Sequence, residues 1–397
     1  MSLSRRGFIT RLAPARDTRA AALVAARGRE ALTAESLYGD VGELVPPTGK
    51  EIRISSNENP LGPGQHVLDA IAGKFPEAGR YPFNSTPNEG ALVGAVASKL
   101  GVKSENIVMG AGSGEILVSA VRAFTSPTGP LVTAWPSFES PHTTAEKIGT
   151  PIREIPLDAQ LRIDIPKMVA AVKGAGLVFF CNPNNPTATV HGFTAVADFV
   201  KEVRQQSPDT VILLDEAYHE YVTDPSYKSG IELALSTPNV FVARTFSKAY
   251  GMAGLRVGYG VGSEQVMKQL RRYKMPYNVS VPGIAAAITS LGNQAHIDQE
   301  RQRNTDVRTF TVRAFEQMGF KATDSQANFL FVELKRPAKP FRDACAQQGV
   351  LVGRDFPPYE KTHCRVSIGT MDEMQRAVEV FRKVLGAAPA TTAQRGR

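Results

Sequence analysis

The chain has 397 residues, 42% of them hydrophobic and 21% charged, which allows a large buried core and suggests two domains. Its formal net charge of +8 does not mark a nucleic-acid surface, because beyond the N-terminal segment lysines and arginines are interspersed with acids; the excess is compatible with anionic substrates. No apolar run approaches the roughly 20 residues of a membrane span, and Cys181, Cys345 and Cys364 are too dispersed for a paired metal motif or a dense disulfide framework and read as free thiols in or near strands.

In chain order, Ser4-Arg5-Arg6-Gly7-Phe8-Ile9 has the form of a twin-arginine export signal, although Arg11, Arg16, Asp17 and Arg19 interrupt the apolar stretch that should follow. Residues 1–35 therefore read either as that signal, with a periplasmic destination, or as the basic arm of a cytoplasmic protein. Ile52-Arg53-Ile54-Ser55-Ser56 alternates as a strand and runs into the turn-rich Asn57-Glu58-Asn59-Pro60-Leu61-Gly62-Pro63. Residues 106–109 predict a strand and residues 116–124 a helix. The turn between them, Gly110-Ala111-Gly112-Ser113-Gly114-Glu115, offers backbone N–H groups and a positive dipole end to a phosphate.

Residues 131–134 predict a further strand. Phe138 lies just past it, as a core ring or as a platform for a ligand. The continuous apolar run Leu177-Val178-Phe179-Phe180-Cys181 suits a parallel strand covered on both faces. It empties into Asn182-Pro183-Asn184-Asn185-Pro186-Thr187-Ala188, a turn whose amides can point at a ligand. Val211-Ile212-Leu213-Leu214 ends in Asp215. A carboxylate there caps the next turn or needs a cationic partner, since open α/β sheets bind ligands at those strand ends.

The most informative stretch follows the apolar run of residues 240–243. It holds Arg244-Thr245-Phe246-Ser247-Lys248 and continues through glycines to Arg256 and a second apolar run at residues 257–261. Apolar walls would desolvate the Lys248 ammonium and lower its pKa, making a nucleophilic amine able to condense with a carbonyl. Thr245, Ser247 and Arg256 supply two hydroxyls and a bidentate cation, a set that suits a phosphate monoester. The alternative is an ordinary basic surface loop. Beyond Pro276 the pattern turns helical, with a charged amphipathic helix over about residues 296–318 and strand character at residues 328–332. Arg354 follows an apolar run, and Arg365 sits inside His363-Cys364-Arg365-Val366-Ser367. Arginines so placed should find an anion, structural or from a substrate.

These motifs, in this order from about Ile52 to Leu385, resemble the class I and II, fold-type I aminotransferases, and most closely their histidinol-phosphate branch. The resemblance implies pyridoxal 5'-phosphate as cofactor and Lys248 as its Schiff-base lysine. It also implies a phosphate cup of Ser113, Gly114, Thr245, Ser247 and Arg256, Phe138 against the pyridine face, Asn185 and Tyr218 on the phenolic oxygen, and Asp215 on the ring nitrogen. Arg354 and Arg365 become the substrate-anion clamp, and Asn57 lies in the segment lining the substrate mouth. Tyr81 of Arg80-Tyr81-Pro82 would reach the neighbour's cofactor phosphate, which implies a homodimer. Four features depart from the family pattern: Phe83-Asn84-Ser85 lacks the expected acids, Gly114 replaces a frequent aspartate, Phe138 a frequent tyrosine, and Ala188 a usual glycine.

The expectation is an α/β protein with a large, mostly parallel sheet of the seven-stranded type flanked by helices, and a smaller α+β domain made from both chain ends. The boundaries are residues 36–75 for the N-terminal part of the small domain and the substrate-mouth segment, 76–280 for the cofactor domain and 281–397 for the small C-terminal domain. The expected activity is transfer of an amino group between an anionic donor, histidinol phosphate or an amino acid, and a 2-oxo acid, with no metal. The alternatives are a decarboxylase or oxidase on the same cofactor and fold, or a non-catalytic cofactor-binding module.

Overall fold

The apolar runs read from the sequence lie at the centre of one large sheet. The computed structural model describes residues 51–386, and the signal-like stretch of residues 1–35 lies outside them. In chain order the strands are β1 (Ile52–Ile54), β2 (Ile107–Gly110), β3 (Leu131–Trp135), β4 (Ile152–Pro156), β5 (Leu177–Cys181), β6 (Val211–Asp215), β7 (Val240–Thr245), β8 (Gly258–Gly262), β9 (Lys321–Ala322), β10 (Phe329–Glu333), β11 (Val350–Val352) and β12 (His363–Ser367). Seven of them form a sheet of order β2-β8-β7-β6-β5-β3-β4. Every neighbouring pair in it is parallel except the two made by β8. The mostly parallel α/β sheet expected from the sequence is therefore present.

Side-chain alternation along the central strands places the chemistry. Leu177, Phe179, Leu213, Phe241 and Ala243 pack with Ile116, Leu117 and Val121 of the helix Ser113–Phe124. Val178, Phe180, Ile212, Leu214 and Val242 pack with Val196, Phe199 and Val200 of the helix Phe193–Gln206. Strands covered on both faces need apolar residues at every position, hence the unbroken runs. Continuing the same period of two carries Cys181, Asp215 and Thr245 to the first face, at the C-terminal ends of their strands, and Arg244 to the second.

A second core draws on both ends of the described chain. β1 pairs in parallel with β11, Ile52 opposite Val350, and β12-β10-β9 form an antiparallel sheet. Ile54, Val332 and Val366 from these sheets meet Phe315, Phe341 and Phe381 from the helices Gln294–Gln317, Ala338–Ala346 and Met371–Leu385. The helix Val281–Leu291 packs instead on the core around Met109 and Val261. Cys181 and Cys364 lie in strands. Cys345, expected in or near one, lies in a helix, where its i+4 spacing from Phe341 turns both toward this second core.

Candidate active site

The glycine-rich turn after β2 and the turn after β7 face each other. Glu115 holds the first in shape: its carboxylate accepts from the backbone N–H of Ala111 at 2.6 Å, from Met275 N–H at 2.7 Å and from the Asn278 amide at 2.7 Å. Gly112 caps the helix Ser113–Phe124 with φ of 76°, and a Cβ there would lie 2.2 Å from Nη2 of Arg256. Only glycine allows this approach. On the facing turn the Thr245 hydroxyl donates to Ser247 Oγ at 2.9 Å, and Arg256 Nη1 donates to the same oxygen at 3.3 Å and to Ala253 O at 2.9 Å. One guanidinium, two hydroxyls and a helix N-terminus thus converge, which is the donor set of a phosphate site. An added Cβ at Gly114 meets nothing within 4 Å, so the space beside it is open.

Lys248 lies beyond Ser247. Its Nζ donates to Ser56 O at 3.4 Å and stands 5.6 Å from the centre of the Tyr218 ring. Burial, reinforced by Arg365 nearby, brings its ammonium down to about 8. Asp215 is buried at the end of β6, where its Oδ1 accepts from Ala217 N–H at 3.2 Å and its Oδ2 from the Cys181 thiol at 3.9 Å. The cationic partner expected for it is not a side-chain ion pair among the described residues. Burial pushes its carboxyl up to about 7. A buried acid so weakly served is suited to a cationic ring nitrogen brought in by a ligand.

The loop after β5 sorts its asparagines by role. Asn182 and Asn184 spend their amides on His191, Pro136, Ser137 and Thr187, whereas Asn185 Oδ1 accepts from Arg365 Nη1 at 2.8 Å. Arg365 Nη2 donates to Ser55 O at 2.6 Å, while its Nε is buried with no hydrogen-bond partner among the described residues. Tyr218, buried, accepts from Asn57 Nδ2 at 3.1 Å, which leaves its own proton to donate. Asn57, with φ of 55°, is pinned in turn by Ser367, whose Oγ accepts from Asn57 N–H at 2.9 Å and donates to Asn57 Oδ1 at 2.6 Å.

Phe138, Arg354 and Tyr81 have these contacts on the single chain. Phe138 is half-buried against the face covered by the helix Ser113–Phe124, and its neighbour Glu139 forms an ion pair with Arg354. Tyr81 is 65% exposed, and its ring contacts among the described residues are with Phe83 and Tyr277, so the single chain does not bring it to Lys248.

Residues 50–381 match the family described as aminotransferase class I and II. The chain belongs to the class I and II aminotransferases. A histidinol-phosphate aminotransferase from Moorella thermoacetica is 36% identical over 337 residues, 84% of this chain and 85% of that one. An aromatic amino acid aminotransferase from Thermobifida fusca is 36% identical over 356 residues, 89% of this chain and 96% of that one. Among solved structures, the histidinol-phosphate aminotransferase from Sinorhizobium meliloti in complex with pyridoxal-5'-phosphate has a TM-score of 0.78 at 26% identity, covering 94% of this chain and 99% of that one.

In this aminotransferase the residues missed from sequence are the supports: Glu115 under the glycine turn, Ser367 behind Asn57, Cys181 behind Asp215 and Glu139 on Arg354. Only Cys181 had a readable signal, since it ends a buried strand, in register with Asp215.

Proposed function

We propose that this aminotransferase moves an amino group from an anionic amino donor, histidinol phosphate or an amino acid, to a 2-oxo acid with pyridoxal 5'-phosphate as cofactor. The residues fit that group. Thr245, Ser247, Arg256, Ser113 and the Gly114 backbone would hold its phosphate, Asp215 its ring nitrogen, Asn185 and Tyr218 its phenolic oxygen, and Phe138 its ring face. When bound, the cofactor supplies an aldehyde that takes up the amino group and a cationic ring that draws electrons from the donor's α-carbon.

The chain's own residues do the rest. Lys248, lowered to about 8, has a neutral fraction near neutral pH and so can take a proton from the donor's α-carbon, and with the cofactor bound it would deliver that proton to the exocyclic carbon that takes up the amino group. Asp215 would keep a proton on the ring nitrogen of the bound cofactor. Arg365 presents its unsatisfied Nε edge to the donor's anion, with Asn57 at the mouth. The observation that carries this reading is the buried, weakly partnered Asp215 on the same sheet face as Thr245, with Lys248 near enough to act on its charge. The test is Lys248→Ala: the purified variant should lack the cofactor's covalent absorbance and all transamination while remaining folded, and retained transamination would refute the assignment.

The family match and the relatives at 36% identity do not favour the decarboxylase, oxidase or binding-module alternatives. Tyr81, Phe83 and Tyr277, exposed by 65%, 51% and 54%, support a homodimer in which Tyr81 serves the neighbour's phosphate; sedimentation together with Tyr81→Ala tests it. The separate cores support two domains, although from outside residues 76–280 the larger core also takes Val67, the helix Val281–Leu291, Ile297 and Phe329.

A further inference from the structure

We propose that Glu139 restricts the donor to a singly charged α-amino carboxylate and disfavours donors that carry a phosphate ester; this rests on the transamination reading. Two guanidiniums pack on one ring: Arg354 Cζ lies 4.3 Å and Arg365 Cζ 4.7 Å from the centre of Phe356. The two cations are unequal. Arg354 is ion-paired with Glu139, and its Nη1 donates to Asp355 O at 2.9 Å. Among the described residues Arg365 has only neutral partners, Asn185 Oδ1 and Ser55 O, and keeps a buried, unsatisfied Nε.

The surrounding charges compensate one another in pairs. Asp355 is held by Arg342 at 3.2 Å and Glu58 by Arg53 at 3.4 Å. With Lys248 and Arg256 assigned to the cofactor, one uncompensated positive charge among the described residues remains for the donor, on Arg365. The Nε edge of a guanidinium presents parallel N–H groups that match a carboxylate. A phosphate monoester carries about −1.5 to −2 at neutral pH. Its second negative charge would meet the Glu139 carboxylate rather than a cation, since Arg354 is already neutralised.

Histidine and histidinol phosphate share a side chain and differ in the anionic group, so they isolate this choice. With wild-type holoenzyme, kcat/KM for histidine and phenylalanine should exceed that for histidinol phosphate by at least about tenfold. Glu139→Gln should shift that ratio toward the phosphate by about tenfold, and Arg354→Gln, which leaves Glu139 unpaired, should shift it the opposite way. A merely structural role would not give opposite signs. Binding of 3-phenylpropionate and phenyl phosphate to the holoenzyme, measured by calorimetry, should show the same preference and the same two shifts. A wild-type preference for histidinol phosphate or phenyl phosphate, or ratios unmoved by Glu139→Gln, would overturn the proposal. If no donor converts the cofactor to its amine form, the transamination reading fails, and the two calorimetric ligands still decide the role of Glu139.

Discussion

Arg365 Nη1 donates to Asn185 Oδ1 at 2.8 Å, tying β12 to the loop after β5. The residue proposed to receive the donor's anion is thus bonded to one proposed to hold the cofactor. Arg365→Lys keeps the charge but loses the fork that reaches Asn185, Ser55 and the anion together. Donor KM should rise by about 10- to 100-fold with a smaller change in kcat, read from steady-state kinetics.

Asp215 gives the cofactor-free protein a pH signature. Its folded carboxyl is raised by burial to about 7 from an ordinary 3.8, so the folded chain keeps a proton that the unfolded chain releases across that window. This contribution is fully present below pH 3.8 and is lost as pH rises through about 7. Thermal melts of the cofactor-free wild type should therefore lose stability over that range relative to Asp215→Asn, whose curve lacks this slope.

Gly112→Ala would place a methyl group where Arg256 Nη2 now lies and would impose φ of 76° on a side-chain-bearing residue. Arg256 must then withdraw from the cup. Cofactor affinity, followed by absorbance titration, should fall by at least about tenfold, with a stability loss of about 1 kcal/mol.

On the other face of the sheet, Arg244 donates to Glu216 Oε2 from Nε at 3.0 Å and from Nη2 at 2.8 Å, both side chains being buried. Arg244→Met leaves Glu216 charged and dry. Denaturant unfolding should show a loss of about 3–5 kcal/mol, part of which Arg244→Met with Glu216→Gln recovers.

The parts of the fold legible in the sequence are those set by local physics. Leu177–Cys181 and Val211–Asp215 read as strands because both faces are buried, whereas β4, Ile152–Pro156, did not. Its Arg153 and Glu154 are exposed at the sheet edge, where charge is favourable and the apolar run disappears. Lys248 and Asp215 were readable because a charge at the end of an apolar strand needs a reason. Ser55 was not: it serves Arg365 through a backbone carbonyl, 310 positions away, and a carbonyl leaves no mark in the sequence. Glu139 was passed over because its significance depends on Arg354, which only the fold brings to it.

The pairing of β1 with β11 has a consequence during synthesis. Ile52 leaves the ribosome long before Val350 exists, so this edge, and with it the carbonyl of Ser55 that steadies Arg365, stays unmatched until about 300 further residues have been made. The nascent polypeptide has both turns that flank Arg256 well before it has Arg365, the cation proposed to receive the donor.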